Sequence, residues 1–176
     1  MLLLRLGRLK RFARRKDGAT ALEFALIAPW FFMTLFGMLE IALVAFGQTN
    51  LDYAVDETAR RIRTGQVQAQ GLGASAIRDE VCANLRRIMP MNCANLYIDV
   101  DRYADFNSAG GGAPIVNGNF NQAGIGYTPT LRNEIVLVRG YYEWKFLTPM
   151  FQPILGNLSN GRRLLASSVL FRNEPF

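Results

Sequence analysis

The chain has 176 residues, half of them hydrophobic and 19% charged, with a formal net charge of +6. It contains no histidine and two cysteines, which removes histidine-based triads, histidine metal sites and thiolate zinc sites before any motif is read. The length suits one domain of moderate size once a membrane segment is set aside.

The basic excess is confined to one end. Residues 1–17 hold Arg5, Arg8, Lys10, Arg11, Arg14, Arg15 and Lys16 against Asp17 alone, and the rest of the chain is balanced. A nucleic-acid binder spreads its basic residues over a folded face. Here they stand directly before an apolar run, as a positive-inside flank does. That run, Phe24 to Phe46, makes a helix about 34 Å long at ~1.5 Å per residue, against a hydrocarbon core of ~30 Å. The stretch from Gly47 to Ala59 carries Asp52, Asp56 and Glu57 but no Lys or Arg. The predicted topology is therefore N-terminus cytoplasmic and C-terminus outside. A cleaved secretory signal is the competitor, but its apolar core is shorter and a small-residue cut site follows it. Pro29 frees the carbonyl of Ala25 and predicts a bend there. Glu40, an intramembrane acid toward the outer end, has three readings: neutral, snorkelling to the headgroups, or meeting a partner helix.

The junction before the run reads RRKDGATALEF, residues 14–24. A basic leader meets Gly18, four residues follow, and Glu23 and Phe24 open the apolar helix. The pattern resembles the processing site of type IV prepilins and pseudopilins, G-x-x-x-x-E followed by an aromatic. The resemblance implies a cut by prepilin peptidase between Gly18 and Ala19, leaving Glu23 as the fifth mature residue. The spacing has its own logic. Cleavage removes the cationic leader and exposes an amine on Ala19, and Glu23 lies one helical turn later on the same face. In a packed array, Glu23 of one subunit would neutralise the Ala19 amine of a neighbour, an ion pair that sets register more than it adds stability.

Residues 18–66 resemble more narrowly the TadE-like family of the tight-adherence (Tad/Flp) pilus system. The matching features are G-x-x-A-x-E-F-A-L-x-A-P from Gly18 to Pro29, G-x-x-E from Gly37 to Glu40, and a departing form of A-x-x-x-A-R that ends at Ala59 and Arg60. The closing LLASSVLFRNEPF also resembles ends seen in the family. The resemblance implies a pseudopilin or minor pilin needed to assemble Flp pili for surface adhesion, with TadE and its paralogue TadF as alternatives. It implies as partners the prepilin peptidase, other pilins and pseudopilins, the inner-membrane assembly platform and membrane lipid.

Beyond the membrane run, Leu51, Ala54, Val55, Thr58, Ala59 and Ile62 recur at helical spacing. This is the amphipathic half of a pilin's first helix or, equally, ordinary core packing; Gly65, or Gly71 and Gly73, ends it. A second helix fits residues 74–89, with Ile77, Val81, Leu85 and Ile88 on one face and Pro90 as the stop. Cys82 and Cys93 are close in sequence, and outside the cytoplasm such a pair is expected as a disulfide rather than as two buried thiols. Leu96, Ile98 and Val100 alternate with Tyr97, Asp99 and Asp101 as a half-buried strand. Residues 133–146 read as a second β segment with Gly140 as a bulge or bend, and residues 163–172 as a third. Between them, Phe106 to Leu131 has six glycines and no charge. It reads as a long surface loop free to touch a neighbouring subunit. No phosphate-loop lysine accompanies the glycines of 110–112.

These elements predict an α+β chain: a long pilin-like N-terminal helix, transmembrane then amphipathic, a second helix and a small antiparallel sheet. The expected divisions are a leader over 1–18, a transmembrane helix over 19–47 and a periplasmic domain over 48–176. No catalytic residue, metal, cofactor or nucleic-acid partner is expected. Two rivals stand beside the pseudopilin reading: an uncleaved single-pass scaffold of the secretion machinery, and a membrane-tethered periplasmic enzyme or binding domain. The second lacks a constellation of convergent polar groups in the sequence.

Overall fold

A computed structural model describes residues 18–110 and 114–176. The basic leader lies outside the described residues except for Gly18, as do residues 111–113 of the glycine run. The fold is α+β, with α1 (Ala19–Arg63), α2 (Gln66–Ala69), α3 (Ala74–Ile88), β1 (Leu96–Tyr103), β2 (Ile115–Val116), β3 (Asn119–Phe120), β4 (Ile135–Trp144), α4 (Gln152–Leu155) and β5 (Arg163–Arg172) in chain order. Two compact units divide at Leu39 and Glu40. The first holds the apolar part of α1, with Leu22, Phe24, Leu26, Ile27, Trp30 and Phe31 all exposed and Pro29 inside the helix. The second is the folded domain. It begins at Glu40: Glu40 and Gly47 are buried, and Leu43 and Val44 pack against the core.

Within that domain the core is built on the second half of α1. Leu51, Ala54, Val55, Thr58, Ala59 and Ile62 are all buried, the stripe that a 3.6-residue period turns to one side. Arg60, Arg61 and Arg63 occupy the last turn, where the helix dipole favours positive charge. The helix stops at Gly65, whose φ of 77° is left-handed and whose N–H donates to the Ile62 carbonyl at 3.1 Å. A Cβ at Gly65 would also collide with the ring of Phe176. The C-terminal tail thus closes over the end of α1, with the Glu174 N–H donating to the Arg63 carbonyl at 3.0 Å.

Helix α3 buries Ile77, Val81 and Leu85 as expected, but Ile88 is 51% exposed. The residue before a proline is driven out of the helical region, and Met89 is extended. The chain turns there, and Met89 and Met91 pack against the core instead.

The three-stranded sheet is antiparallel in the order β1–β4–β5. Its register runs unbroken through Gly140, which pairs with Ile98 on one side and Ser167 on the other. The expected bulge at Gly140 is therefore absent. A Cβ there would overlap Cγ2 of Val55, so the missing side chain lets α1 approach the central strand closely. The face away from α1 is covered too. Phe120 packs its ring 5.0 Å from Tyr97 and 5.4 Å from Tyr141, with Ile115, Ile125, Leu158 and Leu164 around them. The expected open loop over 106–131 thus contains the β2–β3 hairpin and roofs the sheet. The turn is Asn117–Gly118, both at positive φ (51° and 74°), as a two-residue hairpin of this twist requires. Residues 126–128 seal the outer edge of β1: the Val100 N–H donates to the Gly126 carbonyl, and the Thr128 N–H to the Val100 carbonyl.

Candidate functional site

Gly18 stands immediately before the first residue of α1, and among the described residues a Cβ placed on it meets nothing within 4 Å. Ala19, Glu23 and Phe24 follow on the opening turns, all exposed. Ala19 and Glu23 are four residues apart on continuous helix, so they share a face. The four residues of the expected processing site are thus brought together at an accessible helix start, and Glu23 is on the surface.

Glu40 is different. It is 1% exposed, and its two oxygens accept the N–H groups of Leu147 and Thr148, each at 3.0 Å. Thr148 immediately precedes a short turn of helix, Pro149–Phe151, so the two amides that Glu40 accepts lie on the approach to that turn. The carboxylate supplies the acceptors, and bonds to a charged acceptor are stronger than neutral ones. The acid singled out in the sequence therefore faces its own chain, neither lipid nor a neighbouring helix. Seven residues on, Gly47 is buried against Trp144, and a Cβ there would lie 2.5 Å from Cζ3 of its ring.

Residues 18–60 match the TadE-like protein family. No curated protein and no solved structure matches the chain. The TadE-like segment covers about a quarter of the chain. It opens on Gly18, runs through the apolar helix and Glu40, and ends after most of the buried stripe of α1. It points to a structural protein associated with Tad pili.

The rest of the domain is fastened to the second half of α1 and around it. Asn50 of α1 is buried and donates through Nδ2 to the Leu85 carbonyl of α3 at 2.9 Å. Arg61 pairs with Glu80 of α3 at 2.5 Å. Cys82 and Cys93 are joined by a disulfide with their Cα atoms 5.7 Å apart, which ties α3 to the turn before β1. Arg78 reinforces that tie by donating to the carbonyls of Cys93 (2.6 Å) and Leu96 (3.2 Å).

One polar cluster has no counterpart in the sequence reading. Asp99, expected on an open face, is 1% exposed because the 106–131 segment covers it. It accepts from Nε of Arg139, directly opposite in β4, at 2.7 Å, and from the Gly126 N–H at 2.9 Å. Asp101 accepts from Nη2 of Arg139 at 3.2 Å. Burial disfavours the Arg139 charge, but Asp99 outweighs it and holds the guanidinium above its ordinary range. Burial likewise pushes the Tyr141 hydroxyl up. The carboxylates are occupied by arginine and backbone, an arrangement that fastens the roof to the sheet. Among the described residues, no group of three or more His, Cys, Asp or Glu side chains is placed to hold a metal.

Proposed function

We propose that this protein is a pseudopilin or minor pilin of a Tad/Flp pilus system, made as a single-pass inner-membrane precursor with its domain in the periplasm. Prepilin peptidase cuts it between Gly18 and Ala19. The mature helix then joins or primes a pilus, with Glu23 facing the Ala19 amine of a neighbour, and the assembled pilus serves surface adhesion. The observation that carries this reading is the coincidence at one place of the family match, the glycine before the helix and the accessible Glu23 one turn in. The exposed apolar surface of α1 between residues 22 and 39 supports a membrane location before assembly. Chemistry on the protein is done by its processing enzyme; Gly18, Ala19, Glu23 and Phe24 are substrate features.

Intact mass and N-terminal sequencing of the membrane-extracted protein test the proposal. A mature chain beginning at Ala19 is expected, and Gly18→Ala is expected to accumulate precursor severalfold. A natural product that begins at Met1 would instead favour the uncleaved scaffold.

A further inference from the structure

Residues 145–155, KFLTPMFQPIL, form a collar around the first turns of α1 in the domain. Glu40 holds the collar through Leu147 and Thr148. Leu147 lines a groove of about 430 Å³ with Leu43 and Trp144. Leu155 lines another of about 410 Å³ with Ile41 and Val44, so the collar flanks the helix on more than one side. Phe146 and Phe151 turn inward and are buried. Leu147, Met150 and Ile154 turn outward and are 72%, 53% and 68% exposed. Three large apolar side chains held outward in eleven residues are unusual for a water-facing loop. The one charge in the segment is the exposed Lys145.

Glu40 is bonded directly to Leu39, the last residue of the apolar unit. Counted from Phe24, where the apolar run opens, residues 24–39 as helix measure about 24 Å at ~1.5 Å per residue, short of a hydrocarbon core of ~30 Å. The outer boundary of a span that opens at Phe24 therefore falls in the first turns of α1 within the domain. A neighbouring helix would take one side of α1, whereas a bilayer surface crossed by α1 meets both sides at once. Among the described residues the single lysine makes no salt bridge, the nearby Glu143 being paired with Arg162, and it suits phosphate headgroups.

We propose that the collar is a phospholipid-binding lip, with Leu147, Met150 and Ile154 entering the outer leaflet at the headgroup–acyl boundary and Lys145 meeting lipid phosphates. The lip seats the domain on the bilayer before the subunit leaves for a pilus. The inference rests on the reading of α1 as a membrane span.

The test uses the full chain in vesicles of phosphatidylethanolamine and phosphatidylglycerol, with the Cys82–Cys93 bridge verified by mass. Nitroxide labels are placed singly at Ile154→Cys, Leu147→Cys, Phe36→Cys in the apolar unit and Ser75→Cys at the start of α3. Accessibility to oxygen and to a water-soluble nickel chelate is then compared. Labels at 36, 147 and 154 are expected to favour oxygen, with 147 and 154 roughly 5–10 Å below the phosphates, and the label at 75 to favour nickel. Nickel accessibility at 147 and 154 equal to that at 75, with 36 in lipid, overturns the lip and leaves the span standing. Nickel accessibility at 36 as well overturns the span itself. Labels at 147 and 154 shielded from both reagents, with dipolar broadening between copies, would make the collar a protein interface and overturn lipid binding.

Discussion

Glu23 and Glu40 are two carboxylates on one helix in opposite surroundings. Glu23 is on the surface and makes no hydrogen bond or salt bridge among the described residues. Glu23→Gln is therefore expected to fold and lose its leader almost normally but to assemble poorly. Immunoblotting for leader loss beside filament counts by electron microscopy checks this; normal piliation removes the proposed pairing. Glu40 is a structural acceptor. Glu40→Ala leaves two backbone N–H groups without their partner and is expected to cost about 2 kcal/mol, read by denaturant unfolding of the detergent-solubilised chain. Unchanged stability would mean that water replaces the carboxylate at no cost. The sequence marks Glu40 as unusual but not what it binds, because its partners are backbone amides more than a hundred residues away. Backbone amides leave no trace in residue identity.

Among the elements, those with a strong period were legible. The buried stripe of α1, α3 over Ala74–Ile88 and β5 over Arg163–Arg172 all follow from spacing and stop signals. Two things were not. Alternation in β1 shows which residues share a face, but it is silent on whether the second face is covered, so Asp99 passed for exposed. The Asn117–Gly118 pair carried the signal that could have found the roof, a two-residue hairpin turn, but only two residues on each side extend it. Gly140 is ambiguous in the sequence, since an isolated glycine in a strand marks a bulge or a close approach, and here it is the approach of Val55. Gly140→Ala is expected to destabilise the domain by about 1–3 kcal/mol through overpacking. Adding Val55→Ala should recover part of that loss, and a double-mutant cycle measures the coupling. A coupling of zero would remove the contact as the reason for the glycine.

For the whole molecule, the domain boundary at Glu40 has a direct test. A chain lacking residues 1–36 keeps Glu40, Leu43 and Val44 and is expected to unfold cooperatively. A chain lacking residues 1–46 loses all three and is expected to be less stable by roughly 3 kcal/mol. Thermal unfolding followed by circular dichroism compares them; equal stability would return the boundary to residue 47. Apolar composition marks the run through Phe46 as a single stretch because lipid and a protein core select the same side chains. The burial of Glu40 and the packing of Leu43 and Val44 separate the last turns from the rest.

The notch at Gly140 also has a mechanical side. Val55 sits in it like a key, beside Leu51 and Ile98, on a strand paired on both sides. Traction along α1 would bear on that key and through it on a strand bonded along both edges. A rod under tension in a fibre would thus pass its load to the whole sheet, and the subunit would yield late and all at once.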